Sequence, residues 1–180
     1  MTMDNKDFCI IPECYIDTNL IETLVPPLKG YNHQKGCNNV VKTMKEKLNK
    51  EFALGIVDND KKQAAYTKEF KKVCKTDSLA LYKHPDKPHY LIMISPAVDA
   101  FILKSSLKAG VRMEDFKLSP DLDSFIRQTK QIMSKKDTHF KQLFKQIKDA
   151  PEMKTLKEWV NYLKTKQYYS SPDELIALTQ

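Results

Sequence analysis

Up to residue 110 the chain alternates short unbroken apolar runs with stretches in which apolar residues recur every three or four positions; past residue 121 only the second pattern remains. Runs of the first kind read as strands buried on both faces, and the second kind as amphipathic helices. Residues 8–11 make the first strand, closed by Pro12-Glu13. Ile16, Leu20, Ile21, Leu24 and Val25 then keep helical spacing until Pro26-Pro27 stops it. Residues 28–37, with Gly30, Gly36 and several asparagines, predict a loop or a short strand. Asn38 or Asn39 is placed to cap a helix whose inner face is Val40, Val41, Met44 and Leu48. The central strand, residues 52–57, follows and ends on Asp58-Asn59-Asp60.

Residues 61–74 fit a further helix, with Ala65, Phe70 and Val73 inward and lysines outward. Residues 79–82 read as a strand, 84–88 as a proline-bounded turn and 89–94 as another apolar strand. Ser95-Pro96 predicts a helix start, serine as cap and proline in the first turn, with Val98, Phe101, Ile102 and Leu107 on its apolar side and Gly110 at its close. Strands alternating with helices imply an α/β fold, a mostly parallel sheet flanked by helices on both faces. Three amphipathic helices follow, marked by Leu122/Phe125/Ile126, by Phe140/Leu143/Phe144/Ile147 and by Met153/Leu156/Trp159/Val160/Leu163. The expected organisation is an α/β domain over 1–118, with an all-helical extension over 119–180 packed on it.

Charge narrows the partners. The formal net charge is +7, carried almost wholly by lysine, since Arg112 and Arg127 are the only arginines among 180 residues. A basic chain points to an anionic partner such as nucleic acid, though a lysine surface also serves plain solubility. The scarcity of arginine argues against bidentate reading of bases or phosphates. Residues 121–166 hold eleven Lys/Arg against six Asp/Glu. Lys141, Lys145 and Lys148 lie off the apolar face of their helix and can track phosphates nonspecifically or simply cover it from solvent. A protein partner or a second copy of the chain stays open.

Cys9, Cys14, Cys37 and Cys74 include no Cys-x-x-Cys pair, and the four histidines show no metal-ligand spacing, so a zinc ribbon or redox motif is not expected. The N-terminal residues lack an apolar signal core, and no apolar run is long enough to span a bilayer. These features predict a reduced, cytoplasmic protein that uses no membrane.

The candidate chemistry is acidic. In open α/β sheets, ligands bind at the carboxyl ends of the strands, where Glu13, Asp58 and Asp60 fall. Adjacent strand ends lie ~5 Å apart, so the three carboxylates would converge within about 10 Å. Two like charges ~4 Å apart cost on the order of 4 kcal/mol at an effective dielectric of 20. Such a set is relieved by retained protons or by a bound cation, and oxygen-only donors suit Mg²⁺ or Mn²⁺. The plain alternative is that each acid is a solvated loop residue.

Ile10-Ile11-Pro12-Glu13-Cys14-Tyr15-Ile16-Asp17 resembles the first motif of the Toprim (topoisomerase–primase) domain, an apolar strand followed by Glu-Gly-x-x-Asp and a helix. Gly55-Ile56-Val57-Asp58-Asn59-Asp60-Lys61 resembles its second motif, a strand ending in Asp-x-Asp. Gly36, before Asn38-Asn39-Val40, sits where that family often turns into the intervening helix. The resemblance covers residues 8–110, and Cys14 stands where the family has glycine. It implies a metal-dependent nuclease on DNA or RNA, closest in style to small Toprim proteins and OLD-type nuclease domains. Glu13 would then serve as the acid–base or metal-linked glutamate, and Asp58 and Asp60 as Mg²⁺ (or Mn²⁺) ligands.

By the same resemblance Asp99 would be an outer acid and Lys61 a phosphate neutraliser. Read from the residues alone, Asp99 is a first-turn helix aspartate and Lys61 a solvated lysine. The alternatives are a non-catalytic Toprim-like module binding nucleic acid or protein, and a receiver-like switch phosphorylated on Asp58.

Overall fold

The structure is a computed structural model that describes residues 6–59 and 62–179. Five strands form one sheet: β1 (Ile10–Pro12), β2 (Ala53–Asp58), β3 (Lys71–Lys75), β4 (Leu79–Lys83) and β5 (His89–Ile94), in the order β1-β2-β5-β4-β3. The helices are α1 (Tyr15–Leu24), α2 (Cys37–Lys42), which continues as a wider turn over Thr43–Lys47, α3 (Val98–Lys108), α4 (Leu122–Thr129), α5 (Thr138–Ile147), α6 (Pro151–Lys166) and α7 (Pro172–Ala177).

The sheet is mixed, not mostly parallel. β1, β2 and β5 run parallel, with Ile11 opposite Gly55 and Asp58 opposite Ile94, whereas β4 and β3 are antiparallel additions. Connection length is the reason. Parallel neighbours need a crossover of a dozen or more residues, as between β1 and β2, but only short turns join β3 to β4 and β4 to β5.

The helix expected over 61–74 does not form within the described residues. A 3₁₀ turn over Ala65–Glu69 leads into β3, where the lysines guard an open sheet edge. Phe70 is buried as expected, while Ala65 is exposed. Periodicity misleads here because the segment's partner, β4, lies later in the chain.

Alternation along β2 feeds two cores. Leu54 and Ile56 face α1, α3 and the C-terminal helices, where Phe125, Phe140, Phe144, Leu156 and Trp159 join a single cluster. The predicted inward faces of the three tail helices join that cluster, apart from Leu122, which is exposed, and Ile126, which is only half-buried. Ala53 and Val57 face the other way, onto Val40, Val41, Met44, Tyr66 and Phe70. Between them Gly55 lets α2 press onto the sheet: a Cβ there would meet Leu91 Cδ2 at 2.7 Å and Val40 Cγ1 at 2.9 Å. Residues 28–36 form an irregular segment that bonds along β1, Asn32 N donating to Ile10 O and Gln34 N to Pro12 O, and so covers that edge.

Helix starts depart from expectation in an informative way. α3 begins at Val98, after a cis Ser95–Pro96 peptide, and Ser95 does not cap it. α2 begins after Gly36, whose φ of +86° favours glycine, and neither Asn38 nor Asn39 caps it. Leu107 is exposed. No helix among the described residues is long and apolar enough to cross a membrane.

Candidate functional site

The parallel half of the sheet brings Glu13 and Asp58 together. One Glu13 oxygen accepts from Asp58 N at 2.8 Å and the other from Cys37 N at 3.0 Å. Asp58 Oδ1 in turn accepts from Val98 N at 2.9 Å. Thus Glu13 caps α2 and Asp58 caps α3, each from a neighbouring strand end, which supplies the caps that local side chains do not. An anionic cap also matches the positive end of each helix.

Asp17 stands behind these two. Cys14 and Asp17 close a reciprocal cap on α1, with Cys14 N and Sγ donating to Asp17 Oδ2 at 3.2 and 2.8 Å. Asp17 therefore supports the start of α1. The carboxyl is almost fully buried, and Oδ1 meets no hydrogen-bond partner among the described residues. Burial first, then the negative charge of Asp58 and of Glu13 and Asp99, push Asp17 well above the usual carboxylate range; the Cys14 hydrogen bond only partly opposes this. Burial and the same Asp17 charge hold Cys14 as a thiol. All four cysteines are unbridged.

Asp58 and Asp99 share a cavity of about 350 Å³, lined also by Cys14, Tyr15, His33, Lys35, Thr129 and Lys130. Asp99 Oδ1 accepts from Thr129 Oγ1 at 2.5 Å, which ties the end of α4 to the start of α3. Tyr15 and His33 stack with ring centroids 4.9 Å apart. Burial, then the charges of Lys135 and Lys35, lower the His33 pKa, so the ring is neutral at neutral pH.

The remaining sequence candidates divide. Asp60 and Lys61 lie outside the described residues. Lys141 Nζ donates to Asn19 Oδ1 at 3.2 Å, so it is partly used within the fold. Lys145 and Lys148 line a different cleft, beside Lys157, that shares no residue with the acidic cavity. Among the described residues no three His, Cys, Asp or Glu side chains are grouped so as to hold a metal ion by themselves.

Sequence reasoning missed Tyr15, His33, Lys35, Thr129 and Lys130 as parts of one site. They come from α1, the 28–36 segment and the end of α4, and no motif links them. Compared with protein-family models, curated proteins and solved structures, the chain matches none.

Proposed function

We propose that this protein is a Mg²⁺- or Mn²⁺-dependent phosphoryl-transfer enzyme on a Toprim-like fold, acting on the phosphodiesters of a nucleic acid. The observation that supports this reading is the gathering of Glu13, Asp17, Asp58 and Asp99 where β1, β2 and β5 end, beside a cavity rimmed by Lys35 and Lys130. Carboxylates so close repel one another. Asp17 answers by holding its proton to higher pH than an ordinary carboxylate, and a cation would answer for Asp58 and Asp99.

The donors are all oxygen, and Mg²⁺ commonly takes one or two carboxylates, leaving water and substrate phosphate to complete its shell. Asp58 and Asp99 would hold the ion, and Asp60, two positions past Asp58 in the sequence, is the further ligand that the Asp-x-Asp motif implies. When bound, the ion stabilises charge on the phosphodiester and acidifies an attacking water. Glu13 is then a positioning residue, since it fixes the Asp58 backbone from which the carboxylate projects. Lys35 and Lys130 attract the substrate phosphate.

The test pairs Mn²⁺ titration with cleavage of labelled DNA and RNA. Wild type is expected to bind the ion and cleave. Asp58→Asn keeps the oxygen that accepts from Val98 N and is expected to lose both activities. Wild type that binds neither Mn²⁺ nor Mg²⁺, or cleavage unchanged in Asp58→Asn, would refute the proposal.

One observation favours a second reading. Both Glu13 oxygens are engaged by backbone amides, as in a purely structural clamp. That suits a non-catalytic module for nucleic acid or protein, whose salt-sensitive binding persists in EDTA without cleavage.

A further inference from the structure

His33 lines the acidic cavity and also a second cavity of about 430 Å³, bounded by Phe8, Lys29, Tyr31, Asn32 and Lys135. The two spaces therefore share a bordering residue. Lys35 and Lys130 border the first, and Lys135 the second. The segment that carries Lys130 and Lys135 is pinned. Asn19 Nδ2 donates to Ser134 O at 2.6 Å and to Asp137 O at 3.2 Å, Ser134 Oγ donates to Thr129 O at 2.6 Å, and Thr129 is bonded to Asp99. Both lysines thus project from a braced loop. Lysine charge reaches the shared residue, since Lys135 and Lys35 help to lower the His33 pKa after burial. The acid in the second cavity, Asp7, is paired with Lys164 Nζ at 2.7 Å and accepts from Leu28 N, so the local field stays positive.

We infer that the two neighbouring cavities together form a track for one unpaired nucleic-acid strand, with phosphates along Lys35, Lys130 and Lys135 and bases against the Tyr15–His33 stack and Phe8. The inference rests on reading the acidic cavity as a phosphodiester site, and it adds the substrate class. A basic groove with interspersed aromatic faces suits single strands, whose bases expose their π-faces. Bases in a duplex are already stacked on each other and cannot use such platforms. A free nucleotide would need the first cavity alone. The second cavity, with its own lysine and the half-exposed Phe8, extends the site beyond one residue of substrate.

Fluorescence anisotropy with a labelled oligothymidine and with a hairpin duplex of equal length, both in EDTA, tests this without metal. The single strand is expected to bind about tenfold more tightly than the duplex. Joint replacement of Lys35, Lys130 and Lys135 by glutamine should flatten the slope of log affinity against log salt by about 2, the value for three lost contacts on a single strand. The matched loss of charge in Lys71→Gln, Lys72→Gln and Lys75→Gln on the far sheet edge should leave the slope unchanged. Tyr15→Ala should weaken binding about tenfold, and Tyr15→Phe should restore it.

Equal or tighter duplex binding, equal slopes in the two lysine triples, or no loss in Tyr15→Ala would overturn the track. Strand preference in EDTA supports it even where Mn²⁺ binding fails. Mn²⁺ binding with cleavage but no strand preference overturns the track alone.

Discussion

Glu13 offers a sharp test of how the site is held together. Its carboxylate accepts from Asp58 N at the end of β2 and from Cys37 N at the start of α2, so one side chain joins two elements far apart in sequence. Glu13→Ala removes both acceptors and strands two partly buried amides. A hydrogen bond to a charged group contributes roughly 1.5–3 kcal/mol, and partial water access at this half-buried position takes the pair to about 2–4 kcal/mol. For a chain of this length each 1 kcal/mol lowers the melting temperature by roughly 2–4 °C, so a drop of about 4–16 °C is expected. Glu13→Gln keeps one acceptor but turns an NH₂ toward the second amide, and should lose about half as much. Urea unfolding, with the midpoint moving at constant slope, measures the loss directly. A Glu13→Ala midpoint within about 0.5 kcal/mol of wild type would refute the clamp, because surface substitutions away from structural features fall in that range.

Other substitutions probe the packing and the charges. Gly55→Ala forces a methyl to within 2.7 Å of Leu91 Cδ2 and 2.9 Å of Met44 Sδ, and should cost about 1–3 kcal/mol by thermal or urea unfolding; an unchanged midpoint would show that α2 can yield. Asp17 has a folded pKa above its unfolded value, so its contribution is full below the unfolded pKa and is lost as pH rises through the folded one. Asp17→Asn should therefore gain on wild type as pH rises above the unfolded value of about 3.8, and melting temperatures that differ by a constant amount across pH would contradict this. Glu152 is the reverse case. Burial alone would raise its pKa, but hydrogen bonds from Thr76, Ser78 and Lys104 outweigh it and hold the group below the usual 4.5. Its stabilisation is present above the unfolded value and is lost as pH falls through the folded one, so wild type should lose its advantage over Glu152→Gln below about pH 4.5; an advantage that persists in acid would count against the clamp at the start of α6.

Local pattern made much of the fold legible. The buried runs at β1, β2, β4 and β5 and the apolar stripes of α1, α3, α5 and α6 could be read directly, since burial on one face or two leaves a periodic record. Glu13 and Asp58 could be singled out because strand ends collect ligands, and their adjacency follows from parallel pairing of β1 with β2. The edge strand β3 could not be read. Its lysines and two half-buried positions carry helical spacing equally well, and only pairing with β4 makes it a strand.

The amino-acid sequence by itself determined most of the buried positions in the strands and long helices and put Glu13 and Asp58 at strand ends, because both depend on neighbours along the chain. Tertiary structure alone decided that the buried Asp17 feels the charge of three other carboxylates, that Glu13 and Asp58 cap helices begun by other segments, and that Lys35, His33 and Lys130 line one cavity. Those facts depend on distances between segments far apart in the chain, as with Asn19 and Ser134, 115 residues apart. Periodicity records a residue's exposure to the core, and it carries no information about which distant group shares its pocket.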